Sequence, residues 1–371
     1  MAMKKGTILV TGATVRNSQA VSALQSSFEL PARLTNINCI QGGLGVALAS
    51  HVSTVYPAYH GIYTVRNAST PNVSLEAAID PNTSHEVLSL DLGNNASIRA
   101  AAASINQRVS SGAIPPIRVL VLNAGFLEFA EQTYSKDGFD MSFAANYLGH
   151  FLLTLLLLES LAKERGRVVW VGSNVHDPSR PGISARIYPD EKWQTFMRDG
   201  TADGIAKGTW SSKEDDPTFR SGFRRYGAAK MCVAMSVGEL QKRLAADPAL
   251  KGVTSIGIDP GTMGTGMLRR SHWLIRNFPR WILIAAVTKT REYFWPGSTG
   301  PMRTVHVSAR DIMEAGMNDQ GNVAGGAYLD GTQPVEVSAE ANDLEKRQIL
   351  WRDSVGYVKL QKGETALADW K

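Results

Sequence analysis

Two side chains suited to proton transfer, Tyr226 and Lys230, lie four residues apart in the string YGAAK. On a helix this spacing places both side chains on one face, one turn apart. A phenol with a pKa of about 10 exchanges protons poorly at neutral pH, but an ammonium one turn away can stabilise the phenolate. The same spacing is common on ordinary helices, so the pair indicates acid–base chemistry only if other residues support it.

Two further polar residues supply that support. Ser173 ends the apolar run RVVWVGS, so its hydroxyl is expected at a strand's carboxyl end, where it can hydrogen-bond a carbonyl oxygen. Asn146 lies within the helical pattern FAANYLGHF, an unfavourable position for asparagine unless its side chain has a partner. The candidate catalytic residues are Asn146, Ser173, Tyr226 and Lys230.

A glycine-rich string divided into two halves indicates a nucleotide site. The first half, TILVTGAT, ends at Thr14, and the second half, GGLG, begins only at Gly42. If residues 15–41 are removed, the halves join as a strand, a tight turn and a helix start, whose backbone amides suit a dinucleotide pyrophosphate. The candidate cofactor contacts in this string are Thr11, Gly12, Ala13, Gly43, Leu44 and Gly45.

Residues 15–41 show no clear helical or strand periodicity and interrupt a turn that tolerates little variation. Valine codons begin with GT and one glutamine codon ends in AG, so Val15 and Gln41 can encode both conventional intron ends. Leu34 with Thr35 can encode a branch site. We interpret the segment as a retained, translated intron or a gene-prediction error in a eukaryotic gene. A genuine adaptive loop is the alternative, and sequencing of the transcript distinguishes the two.

Short apolar runs alternate with helical patterns along the chain, which predicts a parallel sheet covered by helices on both faces. The predicted strands are Thr7–Val10, 61–65, 86–90, 119–122, Arg167–Val171 and 253–258. The predicted helices are 44–53, 97–110, 138–164 and 226–245. The expected architecture is therefore an α/β, doubly wound parallel sheet that forms a single domain over residues 1–371.

Two segments break this alternation on the expected ligand side. Residues 177–225 are rich in Pro, Gly, Asp and Trp, which is typical of a lid or binding surface. A second substrate-side segment, 266–300, contains a mixed apolar and basic stretch at 267–287. We interpret that stretch as an apolar substrate cover, with an interfacial membrane helix as the alternative.

Composition excludes several other classes of protein. With 371 residues and 43% hydrophobic content the chain can bury a large core. The net charge of +5 is spread over scattered cations such as the Arg224–Arg225 pair, which favours a solvated basic surface over nucleic-acid binding. Two cysteines, Cys39 and Cys232, form no disulfide framework and no metal site is predicted. The first strand leaves no room for a secretory signal, so we expect a cytoplasmic protein, with peripheral membrane contact through 267–287 as the alternative.

Two strand ends carry further candidate cofactor residues. Asp91 and Leu92 end the run VLSLDL, and the next strand ends in the small-residue string NAG. Carboxyl ends of parallel strands form the ligand edge of a doubly wound sheet, and small residues there let the backbone approach a flat ligand. A helix cap at Asp91 and a plain turn at NAG are the alternatives. The NAG residues are Asn123, Ala124 and Gly125.

In these motifs and their order the chain resembles the short-chain dehydrogenase/reductase family. The resemblance covers nearly the whole chain outside residues 15–41 and rests on TGAT with GGLG, DL, NAG, Asn146, Ser173, YGAAK and PGTMGT from Pro260. The string SNVHDPSRPG, the long segment before Tyr226 and TVRN after the second strand resemble the branch of retinol dehydrogenases and protochlorophyllide reductases. That branch is common among fungal oxidoreductases.

The resemblance implies a Rossmann fold and a role for each candidate residue. Tyr226 would exchange a proton with the substrate oxygen, Lys230 would lower the tyrosine pKa and hold the nicotinamide ribose, and Ser173 would orient the carbonyl. Asn146 would fix a proton relay. The cofactor contacts that it implies, beyond Tyr226 and Lys230, are Asp91, Leu92, Asn123, Ala124, Gly125, Pro260, Gly261 and Thr262.

The end of the second strand bears on cofactor choice. The string GIYTVRN carries no carboxylate for an NAD ribose and offers Arg66 to a 2′-phosphate, so NADP(H) is favoured over NAD(H). An exposed arginine without a ligand is the alternative. The expected function is reduction of a lipophilic ketone or aldehyde, or oxidation of the alcohol. A catalytically impaired binding or scaffold protein is the alternative function, because the cofactor loop is interrupted.

Family members often form homodimers or homotetramers, so either is expected. The tail 343–371 could pack on its own domain or on a neighbour's.

Overall fold

The fold is built on one twisted sheet in the computed structural model, which describes residues 4–13, 43–129, 131–263, 302–318 and 323–371. Eight strands of these ranges form the sheet in the order β3-β2-β1-β4-β5-β6-β7-β8. All neighbours are parallel except β7 and β8. The strands are β1 Thr7–Val10, β2 His60–Val65, β3 His85–Ser89, β4 Ile117–Leu122, β5 Arg167–Val171, β6 Thr254–Asp259, β7 Tyr328–Asp330 and β8 Gln333–Val335.

Helices cover both faces of the sheet, and the buried residues form two clusters separated by it. The chain order reverses between β1 and β4, which is where doubly wound sheets open a crevice for ligands. The helices of the described ranges are α1 Leu44–Val55, α2 Val73–Glu76, α3 Asn95–Ser110, α4 Met141–Ser160, α5 Ile183–Ile187, α6 Asp203–Ala206, α7 Phe219–Ala246, α8 Val305–Met317, α9 Ala339–Asn342 and α10 Leu344–Tyr357.

The predicted architecture is confirmed, and the predicted strands agree with the structure to within two residues. All four residues of strand β1 are buried, because its side chains are mostly apolar and its backbone is hydrogen-bonded to the strands on both sides. The sequence interpretation did not include β7, β8 or α8, which lie beyond the last strand that it predicted. These elements extend the sheet on the side of β6 and cover one of its faces.

Helix α4 is long and apolar enough to span a membrane by length and composition, but 94% of its apolar window is buried inside the protein. It is therefore a core helix, within the range 138–164 predicted as helical. Its backbone widens into a π-helical turn at Ala144–Leu148, around Asn146. Such turns are frequent at functional sites.

The segment 177–225 is a packed platform that contains α5 and α6, and α7 begins seven residues before its predicted start at Tyr226. The Arg224–Arg225 pair was predicted as solvated surface, and this is wrong. Arg224 is 1% exposed, bonds Asp216 at 2.6 Å and lies over the Trp193 ring at 4.0 Å. Arg225 is 3% exposed and forms an ion pair with Asp140 at 3.1 Å. Both arginines are buried because carboxylates neutralise them, and for Arg225 that carboxylate is distant in sequence.

The tail packs on its own domain. Trp351 of α10 is buried against Phe151 of α4, with ring centroids 5.0 Å apart, and its indole donates to the carbonyl of Trp370. Ser354 is within 2.8 Å of the Tyr147 hydroxyl. The insertion 15–41 and the segment 266–300 lie outside the described residues, and the interpretations made for them stay predictions.

Candidate active site

Three of the four candidate catalytic residues meet at the carboxyl ends of β5 and β6. Ser173 follows β5, and its hydroxyl lies near enough to Tyr226 of α7 to lower the pKa of that phenol. Lys230, one turn further along α7, donates its ammonium to the carbonyl of Val171 at 2.7 Å and lies 5.6 Å from the Tyr226 ring centroid. Both α7 side chains are nearly fully buried. The i,i+4 spacing therefore places them on one face, as predicted.

The predicted lowering of the Tyr226 pKa by Lys230 stays a prediction. Burial raises the pKa of Tyr226, the carboxylate of Asp259 raises it further, and the nearby hydroxyl of Ser173 only partly opposes both. The ammonium of Lys230 is held at the Val171 carbonyl rather than at the phenol. Burial lowers the pKa of Lys230 to about 8, against the opposing effect of Asp259. Tyr226 therefore carries its proton at neutral pH.

Asn146 finds the partners that its helical position requires. Its side-chain amide donates to the carbonyls of Phe126 and Ser142, both at 2.7 Å, and its side-chain oxygen accepts from the Phe126 amide at 3.0 Å. Asn146 is fully buried. The Asn146 side chain therefore fixes the backbone just after NAG, between the predicted catalytic and cofactor regions.

The halves of the divided glycine-rich string come together around two glycines. Gly12 has φ +70°, and a Cβ there would lie 2.6 Å from the Cα of Ala124. A Cβ at Gly45 would overlap the carbonyl oxygen of Gly12 and lie 2.9 Å from the Cα of Ala13. Gly43 is the N-cap residue of α1, so no side chain bonds the first backbone amides of the helix. The first turn of α1 also carries no acidic residue. A backbone cradle of this kind fits a dinucleotide pyrophosphate.

Thr11 joins this cradle to NAG. Its hydroxyl oxygen accepts from the amides of Asn123 at 2.9 Å and Ala124 at 3.0 Å. The Asn123 side chain donates back to the carbonyl of Thr11 at 2.9 Å. Gly125 is exposed beside these bonds, and Leu44 is buried in α1.

Arg66 and Asp91 face each other at the ends of β2 and β3. Arg66 Nε lies 3.9 Å from Asp91 Oδ1, and the arginine side chain is 51% exposed. Asp91 also accepts from the amide of Gly93 within its own turn. It does not cap the helix that follows, because the N-cap of α3 is Asn94. Leu92 is buried beneath Asp91. The Arg66 guanidinium is thus accessible to a phosphate.

Pro260, Gly261 and Thr262 follow β6 at the same edge. Gly261 has φ +79° and its amide donates to Asp259 at 2.9 Å, while the carbonyl of Pro260 accepts from Ser308. Thr262 is exposed and forms a bridge with Met302.

Some polar residues at this edge escaped the sequence interpretation. Tyr328 of β7 accepts from the Ser173 amide at 3.0 Å, and His150 lies 2.9 Å from the Thr11 hydroxyl. Asp259 lies near Arg180, at 3.9 Å, and accepts at its backbone carbonyl from Arg303. Only the DPG string around Asp259 and the position of His150 one turn after Asn146 signal these contacts in the sequence. Among the described residues no group of three His, Cys, Asp or Glu side chains could hold a metal ion.

Comparison with known proteins identifies the family. A family model described as short chain dehydrogenase matches residues 37–188, so β1 and TGAT fall outside the match. The short-chain dehydrogenase iccH of Talaromyces variabilis is 40% identical over 355 residues, which cover 89% of this chain and 96% of that protein.

The chain belongs to the short-chain dehydrogenase/reductase family.

More distant relatives of this short-chain dehydrogenase agree with the expected branch. Protochlorophyllide reductase of Daucus carota is 26% identical over 328 residues, covering 86% of this chain and 76% of that protein. Polyprenol dehydrogenase of Mus musculus is 28% identical over 304 residues, covering 80% and 75%.

Solved structures share the fold at low identity. An uncharacterized protein from Mycobacterium paratuberculosis has a TM-score of 0.58 at 22% identity, covering 97% of this short-chain dehydrogenase and 96% of that chain. The angucycline C-6 ketoreductase LanV, solved with bound NADP, has a TM-score of 0.53 at 14% identity, covering 89% and 96%.

Proposed function

We propose that this short-chain dehydrogenase is an NADP(H)-dependent oxidoreductase that reduces a lipophilic ketone or aldehyde, or oxidises the corresponding alcohol. The observation that carries the proposal is the convergence of Ser173, Tyr226 and Lys230 at the carboxyl edge of the sheet, next to the glycine cradle. The names of the relatives include both a reductase and a dehydrogenase. Either direction is therefore compatible with the family.

The cradle and Arg66 are the residues that would hold the cofactor. Gly12 and Gly45 let the backbone segments of the cradle pack more closely than a Cβ would allow, and the N-terminus of α1 offers backbone amides to the pyrophosphate. The exposed guanidinium of Arg66 suits a 2′-phosphate, which supports NADP(H) over NAD(H). When bound, the nicotinamide ring supplies the hydride.

The proton chemistry belongs to the chain's own residues. Tyr226 holds its phenol proton at neutral pH, and it would donate that proton to the carbonyl oxygen of a bound substrate. The Ser173 hydroxyl orients the same oxygen, and Lys230 keeps a positive charge beside the ring. The protonated form of Tyr226 is the form that carbonyl reduction requires.

A panel of ketones and aldehydes of increasing apolar size, tested with NADPH and with NADH, checks the proposal. We expect NADPH-dependent turnover that falls by at least about 100-fold in Tyr226→Phe. Tyr134→Phe, which changes an exposed tyrosine, is the matched control and should keep full activity. Full turnover in Tyr226→Phe refutes the acid–base role, whereas a chain that neither binds nor oxidises NADPH supports a binding or scaffold protein.

A further inference from the structure

A buried histidine, His150, lies between the cofactor cradle and the π-helical turn of α4. It is 1% exposed, and both of its neighbours in this contact, Thr11 and Asn146, are fully buried. Its Nε2 is 2.9 Å from the Thr11 hydroxyl and its Nδ1 is 3.2 Å from the backbone carbonyl of Asn146. The ring therefore bridges the strand that carries TGAT and the helix that carries Asn146.

A count of donors and acceptors assigns the protons on this bridge. The Thr11 hydroxyl oxygen has two lone pairs, and the backbone amides of Asn123 and Ala124 can only donate to them. A proton on His150 Nε2 would be a third donor to the same oxygen. The threonine must therefore donate its own proton to Nε2, since the alternative acceptor, the Val121 carbonyl, is further away at 3.4 Å.

The second ring nitrogen, Nδ1, can then act only as a hydrogen-bond donor. In a neutral imidazole the proton that Nε2 lacks is on Nδ1, where it is donated to the Asn146 carbonyl. Burial lowers the pKa of His150 to about 3, with a further lowering from the charge of Lys230. The ring is thus neutral at physiological pH, as this pattern requires.

Together these contacts form a closed, hydrogen-bonded ring of residues that includes NAG. Thr11 holds the segment at Asn123 and Ala124, and the Asn146 side chain holds the same segment at both backbone groups of Phe126. His150 connects Thr11 with Asn146. We propose that His150, as the Nδ1–H tautomer, is a positioning residue that closes this hydrogen-bonded ring and so sets NAG and Thr11 for cofactor binding; its cofactor role depends on the function proposed above.

The first test needs no cofactor and no loss of the bridge. Nitrogen NMR of the full chain labelled at histidine reads the ring tautomer, and the His150 signals are assigned by their loss in His150→Gln. We expect a proton on Nδ1, an unprotonated Nε2 and no titration between about pH 5 and pH 8. A proton on Nε2, or a titration near the ordinary histidine pKa of about 6.5, overturns the proposal.

The second test is a double-mutant cycle read as NADPH affinity by fluorescence titration. His150→Phe keeps a planar ring and removes both hydrogen bonds, and Thr11→Val removes the hydroxyl at similar volume. We expect each single variant to raise Kd by about 5- to 10-fold, and the double variant to lose less than the product of the two. His150→Gln, which retains an acceptor for Thr11, should recover part of the affinity.

Multiplicative losses in the cycle, or no effect in His150→Phe, overturn the positioning role. The two tests also separate the proposals from each other. If the full chain binds no NADPH, the proposed function fails while the tautomer measurement still decides the hydrogen-bonded ring.

Discussion

The carbonyl oxygen of Gly12 lies against the Cα of Gly45, closely enough that a Cβ at Gly45 would overlap it. The two glycines come from opposite sides of residues 15–41. The interruption of the cofactor string therefore does not separate its halves in space, and a looped-out segment adds closure entropy that grows only slowly with length.

Deletion of residues 15–41 is expected to strengthen NADPH binding, because the halves then meet without the entropy of a long loop. By the logarithmic loop law that entropy is at most about 3 kcal/mol, which limits the gain in affinity to about 100-fold. Fluorescence titration of both forms measures it, with Gly45→Ala in each form as a control that should weaken binding. Equal affinity of the two forms contradicts the expectation.

The rate of carbonyl reduction is expected to fall as the pH rises above about 8, because burial lowers the pKa of Lys230 to that value and the ammonium is then lost. Asp259 opposes this lowering, so Asp259→Asn should move the alkaline limb of kcat/KM down by roughly one pH unit. Asp330→Asn, which changes the neighbouring carboxylate bonded to Arg303, is the control. An unchanged limb in Asp259→Asn, or an equal shift in Asp330→Asn, would count against this.

Arg66→Ala is expected to raise the KM for NADPH by roughly 10- to 100-fold and to leave the KM for NADH nearly unchanged, because only NADPH carries the 2′-phosphate. The side chain is half exposed and its nearest carboxylate is 3.9 Å away, so stability should change little. Lys207→Ala, at a similarly exposed cation, serves as the control. A loss of affinity for both cofactors to the same extent would show that Arg66 does not read the phosphate.

Arg225→Met is expected to destabilise the fold by about 3–5 kcal/mol, because it leaves Asp140 buried without its ionic partner. Arg225 also donates to the carbonyls of Ser211 and Glu131, so the platform before Tyr226 loosens as well. The double variant Asp140→Asn/Arg225→Met should recover part of the loss, since no unpaired charge remains.

Thermal unfolding at constant pH compares these variants, with Lys213→Met at an exposed ion pair as the control. Destabilisation that is simply additive in the double variant would mean that the two charges do not act as a pair.

The sequence by itself determined the first six strands of the sheet and the sheet edge at which the candidate site lies. Apolar runs and helical periods are local, so β1, β5 and α3 could be placed to within two residues. The spacing of Tyr226 and Lys230 sets one helix face, and strand ends in a parallel sheet meet at one edge, which predicted the neighbourhood of Ser173.

Tertiary structure decided what depends on partners far along the chain. Arg225 is buried because the distant Asp140 neutralises it, and Arg224 packs on the ring of Trp193 as well as bonding Asp216. Lys230 turns to the Val171 carbonyl, and Tyr226 keeps its proton because packing removes it from water. For His150 the sequence predicts only a position in a helix. Its bond to Asn146 is local, within one turn of the helix, but its bond to Thr11 arises only where a strand and a helix from distant parts of the chain meet.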